Sequence, residues 1–244
     1  MTYCVGMALN KGLVFMSDTR TNAGLDNIST FRKMTVWEVP GERVITLMAA
    51  GNLATTQAVV SLLEERSKSP EMRSPTLLGA PSLFQAVRMI AETLREVIEQ
   101  QGEGGLRADS TFHATFMVGG QVAGSPPRLF MIYPEGNFIE AGDDTPFFQI
   151  GETKYGRPIL VRAYDPDMSF ERAMKLLLVS FDSTLKANLT VGAPFDYHFY
   201  ETDSLVAGWQ GRITMDDPYF QSVSKGWSDA LKEALDSLPD FEKR

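Results

Sequence analysis

The sequence predicts an α+β fold built in layers, with two mainly antiparallel sheets facing each other and helices covering their outer sides. Three observations carry this expectation. Strand-like runs come in groups joined by short turns instead of alternating one by one with helices, which argues against a doubly wound parallel sheet. The first two groups are hairpins with turn residues between their arms. The helical stretches place apolar residues three and four positions apart, as a helix with one buried face requires. With 244 residues and 43% apolar content, the chain can bury one large core, so a single domain over 1–244 is expected.

The elements follow in order. Residues 2–9 alternate and read as a strand starting at the amino terminus. Asn10, Lys11 and Gly12 supply a turn into a buried strand over 13–18, which ends in polar residues. Residues 34–39 and 43–50 flank Pro40 and Gly41 as a second hairpin. Gly51 closes it, and Leu53, Ala54, Ala58, Leu62 and Leu63 then recur at helical spacing as far as the breaker region 68–75. A second helix begins at Ser82, with Leu83, Val87, Ile90, Leu94 and Val97 in its stripe, and a Gly-rich loop over 101–105 ends it. Strands are expected at 111–118, 129–133, 138–141 and 147–150, with 134–137 as a tight turn. Ser169 starts a third helix through Phe170, Ala173, Leu176, Leu177, Phe181 and Leu185. Residues 195–200 form a further strand. From Asp216 onward Phe220, Val223, Trp227, Leu231 and Leu235 mark a C-terminal helix.

Composition excludes several function classes. Lys and Arg total 23 against 31 Asp and Glu, a net charge of -8, and no dense basic cluster appears. Neither nucleic acid nor an anionic membrane is an expected partner. The longest apolar stretches, 44–50 and 176–179, fall far short of a membrane span, and the amino terminus lacks the pattern of a signal peptide, so a cytoplasmic location is expected. Cys4 stands alone, which rules out an internal disulfide or a multi-cysteine zinc cage and leaves a small buried residue. His113 and His198 both lie in strand-like runs and read as sheet-face residues. Their separation argues against local metal spacing, although a Ser-His-Asp site stays formally open because such groups meet in space. No cofactor is implied. The chain carries no P-loop, so any ATP-driven partner would be a separate protein.

Thr2 stands directly behind Met1. Threonine is small enough at the second position for methionine aminopeptidase to act, and removal of Met1 would leave one residue with both a hydroxyl and an α-amine. The hydroxyl alone is a weak nucleophile. An α-amine that titrates near ~8 can accept its proton, directly or through a water. The alternative is that Thr2 merely begins a strand, as β-branched residues often do.

Three further segments join Thr2 in a pattern: Met16-Ser17-Asp18-Thr19-Arg20-Thr21, Phe31-Arg32-Lys33-Met34 and Ala49-Ala50-Gly51-Asn52-Leu53-Ala54. Together they resemble a proteasome β-subunit, an N-terminal nucleophile hydrolase. The phrases Ser17-Asp18-Thr19-Arg20-Thr21-Asn22-Ala23-Gly24 and Ala50-Gly51-Asn52-Leu53-Ala54-Thr55-Thr56-Gln57 resemble, more narrowly, the bacterial ancestral β-subunit branch, Anbu. The resemblance implies a four-layer αββα sandwich. It also implies Thr2 as nucleophile, Lys33 as the cation beside it and Asp18 as the carboxylate that orients Lys33. An ammonium there favours the alkoxide and disfavours protonation of the amine. Gly51 matches the position whose backbone N–H faces the oxyanion. Thr21, Asn22 and Ala23 match the segment that pairs with an extended peptide, and Ala49 and Leu53 the walls of the side-chain pocket.

Two positions depart from that pattern. Glu152 follows Gly151 where the family has serine, and Asn188 stands where it has aspartate, with Val191 near a second serine position. Glu152 and Asn188 either form a different network near Thr2 or leave Glu152 solvated. The expected function is a threonine-nucleophile peptidase or amide hydrolase acting on peptides or unfolded protein. The alternatives are a weakly active or inactive peptide-binding assembly and an amidohydrolase for a small amide. The resemblance further implies self-association in a ring or open spiral.

Overall fold

The computed structural model describes residues 2–22, 28–69, 74–102 and 112–242. Strands β1 (Tyr3–Leu9), β2 (Gly12–Asp18), β10 (Phe147–Gly151), β11 (Phe195–Glu201) and β12 (Trp209–Ile213) form one sheet in the order β10-β1-β2-β11-β12. Strands β5 (Met34–Val39), β6 (Arg43–Gly51), β7 (Ala114–Val122), β8 (Arg128–Ile132) and β9 (Phe138–Glu140) form the second, in sequential order. Both are antiparallel, and β3 (Arg20–Asn22) with β4 (Ile28–Thr30) adds a short separate ribbon.

The period-2 alternation of each strand decides which layer its side chains join. Cys4, Phe15, Val44, Met48, Met117 and Phe148 point between the sheets and make the central core. On the far side of the second sheet, Ile45, Leu47 and Phe116 pack under α1 (Leu53–Lys68) and α2 (Leu83–Gly102). On the far side of the first, Tyr3, Val5 and Met16 pack under α3 (Arg157–Ala163) and α4 (Phe170–Ala187), and α5 (Pro218–Asp236) adds Phe220. The result is helix, sheet, sheet, helix, the four layers expected. The helix starts follow from their caps: Asn52 accepts from Thr55 N–H, Ser169 from Arg172 N–H, and Asp217 from the N–H groups of Tyr219 and Phe220.

Several expectations need correction. The strand expected over 111–118 runs instead from Ala114 to Val122, and His113 lies just ahead of it, not on a sheet face. The carbonyl of His113 is taken by Asn52 N–H at 2.9 Å, which turns this residue out of the ladder. Helix α2 extends to Gly102, past the start of the expected loop, whose remainder lies outside the described residues. The stripe of α5 is less buried than its pattern suggests. Phe220 is covered, while Leu231 and Leu235 are exposed. Elements α3, β3, β4 and β12 were not expected individually.

His198 is a buried polar link between the sheets. Its Nε2 lies 3.1 Å from the Ala207 carbonyl and its Nδ1 2.7 Å from Thr46 Oγ1. A carbonyl only accepts, so Nε2 carries the proton and Nδ1 accepts from the Thr46 hydroxyl. Burial depresses its pKa to about 4, against a smaller raising effect of the Ala207 carbonyl. Between this value and the ordinary 6.5, the unfolded chain binds a proton that the folded chain does not, so stability falls as pH drops through that window. The loss attributable to this residue amounts to about 3 kcal/mol at most. Urea denaturation at pH 7 and pH 4.5 is expected to show a larger acid loss for the native sequence than for His198→Gln.

Candidate active site

The site begins with a buried carboxylate at the end of β2. Register pairs Cys4 with Ser17, so Asp18 comes opposite the first residues of β1. Its Oδ1 accepts from Tyr3 N–H at 2.9 Å and from Lys33 Nζ at 2.7 Å, and its Oδ2 accepts from Gly192 N–H at 3.2 Å. Asp18 has no solvent exposure and Lys33 only 8%. Burial raises the Asp18 pKa, and the Lys33 ammonium and the two N–H groups pull against it. Lys33 also donates to the Arg20 carbonyl at 2.6 Å, which ties the start of β3 to the same cluster.

The peptide group after Thr2 is held at both its polar atoms. Its N–H donates to Asp18, and its carbonyl accepts from Glu152 N–H at 2.7 Å. That approach needs a glycine before Glu152. Gly151 has φ +82, and a Cβ there would meet the Thr2 carbonyl oxygen at 2.1 Å. Thr2, Lys33, Ala49 and Leu53 line one cavity of about 300 Å³, together with Arg32, Thr35 and Thr56. Gly51 stands exposed at the end of β6 with φ +116, where a Cβ would meet the His113 carbonyl oxygen at 2.3 Å. Only glycine fits this approach to His113. Thr21 lies in β3, paired with Ser29, and does not line the cavity, and Asn22 follows it in the same strand, paired with Ile28. Ala23 lies outside the described residues.

Glu152 and Asn188 do meet. Asn188 Nδ2 donates to Glu152 Oε2 at 2.9 Å, and Glu152 Oε1 accepts from the N–H groups of Thr153 and Lys154. Burial opposes the charge on Glu152, but these donors and the Tyr155 N–H outweigh it and hold its pKa below the usual value. Asn188 Oδ1 accepts in turn from the amide and hydroxyl of Thr190. Of the two readings left by the sequence, the network is the one present. Val191 is fully buried in the apolar layer under the first sheet.

A second buried polar cluster escaped the sequence reading. Tyr3 Oη lies 2.6 Å from Ser180 Oγ and accepts from Gln149 Nε2 at 2.8 Å, and Ser180 donates to the Gly156 carbonyl. Burial pushes the Tyr3 hydroxyl up to about 12, moderated by its hydrogen bonds, so it stays protonated. Period-2 alternation marks Tyr3 only as another inward-facing strand residue. Neither histidine lines the Thr2 cavity, and no group of three or more His, Cys, Asp or Glu side chains able to hold a metal occurs among the described residues. Burial also raises the Cys4 thiol well above its ordinary value, which makes it unreactive.

The family model for the proteasome subunit matches residues 2–194. The chain belongs to the proteasome subunit family. Within that family the Anbu, or ancestral β-subunit, branch is the one supported. The structure of Anbu from Yersinia bercovieri superposes with a TM-score of 0.92 at 47% identity, covering 99% of this chain and 100% of that one. A Gly-1 mutant of Anbu from Hyphomicrobium sp. strain MC1 gives 0.92 at 49% identity, with both chains fully covered. The helical assembly of the Anbu complex from Pseudomonas aeruginosa gives 0.92 at 47%, covering 99% and 98%. More distantly, proteasome subunit beta 2 of Pyrobaculum calidifontis is 24% identical over 192 residues, 79% of this chain and 85% of its own length. The fold is therefore that of a proteasome-type N-terminal nucleophile hydrolase.

Removing Asp18 would strand the Lys33 ammonium in a buried place. Asp18→Ala is expected to lower stability by about 3 to 5 kcal/mol, the range for breaking one side of a buried ion pair. Adding Lys33→Met to it should recover part of that loss. Urea denaturation of both variants measures the difference.

Proposed function

We propose that this proteasome-family chain is a threonine-nucleophile hydrolase of peptide or related amide bonds, a single domain over 1–244 activated by removal of Met1. The observation that carries this reading is the sharing of one buried oxygen, Asp18 Oδ1, by the amide after Thr2 and the ammonium of Lys33. That arrangement holds a cation at the wall of the cavity that Thr2 also lines.

The chemistry follows from the groups present. Once Met1 is gone, the Thr2 amine takes the proton of the Thr2 hydroxyl, and the oxygen attacks the substrate carbonyl carbon. Lys33 stabilises the negative charge on the attacking oxygen, and the backbone N–H of Gly51 faces the oxyanion that forms on the substrate. Collapse breaks the C–N bond, and the leaving amine departs with the proton from the Thr2 nitrogen. A water then attacks the Thr2 ester and gives a proton to the same amine, which passes it to the Thr2 oxygen as the C–O bond breaks and the acid is released. Every proton is handled by one nitrogen, so no cofactor enters the scheme. Substrate backbone would run beside Thr21, Asn22 and Ala23, with a side chain in the cavity between Ala49 and Leu53.

Glu152 and Asn188 favour a second reading beside the first. In place of a hydroxyl and a carboxylate, the wall next to Thr2 carries a carboxylate engaged by an amide and by backbone donors. This replaces the usual support of the amine and motivates weak turnover, down to a chamber that binds peptides and cleaves them poorly. We also infer homo-oligomeric assembly as a ring or open spiral in the cytoplasm, supported by the helical assembly described for the Pseudomonas aeruginosa relative and by the exposed apolar residues of α5.

Intact-mass analysis of the purified protein is expected to show loss of one methionine, and a β-lactone probe to add one label on the Thr2 peptide. Thr2→Ala should reduce labelling by more than about a hundredfold, the scale for loss of a covalent nucleophile. Equal labelling of both proteins would remove Thr2 from the reaction.

A further inference from the structure

The Thr2 cavity does not end at Lys33. A second cavity of about 540 Å³ lies beside it, and both include Arg32 and Thr35 in their walls. Its other walls come from the β5 edge, through Val36, and from β11 and β12, through Asp196, Tyr197, Gln210 and Arg212. The two cavities adjoin at these shared residues and lie side by side along one face of the molecule as a cleft with Arg32 and Thr35 at its waist. It is large enough for a substrate that extends well beyond the reacting bond.

The charges along this cleft are unevenly matched. Lys33 is taken by Asp18 at 2.7 Å. Arg212 is taken by Asp196 through two parallel bonds, Nε to Oδ1 at 2.6 Å and a terminal nitrogen to Oδ2 at 2.8 Å. Arg32 is exposed, stands at the junction of the two cavities and has no ion pair among the described residues. The chain as a whole carries a net charge of -8. An unmatched guanidinium at the waist of a cleft in an otherwise acidic protein is a local anion site, because a concave wall concentrates its field. Its planar fork suits a carboxylate.

We propose that Arg32 is the specificity-determining residue of this site, pairing with a carboxylate of an acidic peptide or amide that has its reacting carbonyl at Thr2 and its body in the second cavity. The proposal rests on the catalytic reading of Thr2 and names its substrate class. Asp196 serves the same end by neutralising Arg212, which keeps the anion preference at the waist and away from the far wall.

The test uses binding, so it does not depend on turnover. Fluorescent hexapeptides carrying one Glu at successive positions, each matched by its Gln counterpart, are titrated into Thr2→Ala protein and followed by anisotropy. A third set with an amidated or free C-terminus separates a side-chain carboxylate from a terminal one. At one or two positions the acidic peptide is expected to bind about tenfold tighter, as one charged hydrogen-bonded contact provides. That preference should vanish in Thr2→Ala/Arg32→Gln and shrink as salt is raised. Equal binding of acidic and neutral peptides at every position, or a preference that survives Arg32→Gln, would overturn the proposal. β-lactone labelling of Thr2 in the single Arg32→Gln variant tests the catalytic reading separately. Retained labelling there, with acid preference lost, is the expected combination; retained labelling with no acid preference in either protein sinks Arg32 alone.

Discussion

One buried carboxylate joins the parts of this site. Asp18 accepts from the amide of Tyr3, from Gly192 and from the ammonium of Lys33, and so links the start of β1, the loop before β11 and the residue ahead of β5. A charge without solvent contact is costly unless such donors surround it, and a buried ammonium carries the same cost. Each residue offsets part of the cost of burying the other. The stability of this corner and the placement of its cation are therefore the same physical fact.

The opposite wall is built by backbone more than by side chains. Glu152 N–H holds the Thr2 carbonyl, and the glycine before it permits that approach. The Glu152 side chain is engaged by Asn188 and by two N–H groups of its own loop. The peptide group between Thr2 and Tyr3 is thus fixed at both its carbonyl and its N–H, which anchors the main chain just after Thr2. What differs from the serine and aspartate pattern is the polarity beside the amine. This wall is where this proteasome-family chain departs most in chemistry from the pattern that it otherwise follows.

Much of this was legible because the residues concerned sit at the ends of strongly patterned segments. Thr2 heads an alternating run, Asp18 ends one, Lys33 precedes one and Gly51 closes one, so the hairpin pattern fixed their positions along the chain, while their grouping as a site came from the family resemblance alone. The bond between Glu152 and Asn188 could not be read that way, because it joins a strand end to a helix C-cap 36 residues apart. Elements were missed where pattern is weak. Helix α3 is only seven residues and opens with Arg157 and Pro158, while β12 lies at a sheet edge with Gly211 in its middle and four of its five residues partly or fully exposed. The apolar stripe of α5 was visible, but periodicity does not say what covers a stripe, and Leu231 and Leu235 stay uncovered by their own chain. Arg32 gave no signal of its own, since an arginine beside a lysine reads as a solvated pair until the cavity walls are known.

The central claim is electrostatic: a cation held by Asp18 keeps the terminal nitrogen of Thr2 in its neutral, proton-accepting form. The most direct measurement is the pH dependence of acetylation of that nitrogen by a trace of acetic anhydride, read from the mass of the amino-terminal peptide. The account predicts a midpoint below the ordinary ~8 of an α-amine, moving upward in Lys33→Met. A blocked terminus that still carries Met1, or a midpoint at the ordinary value that ignores Lys33→Met, would contradict it.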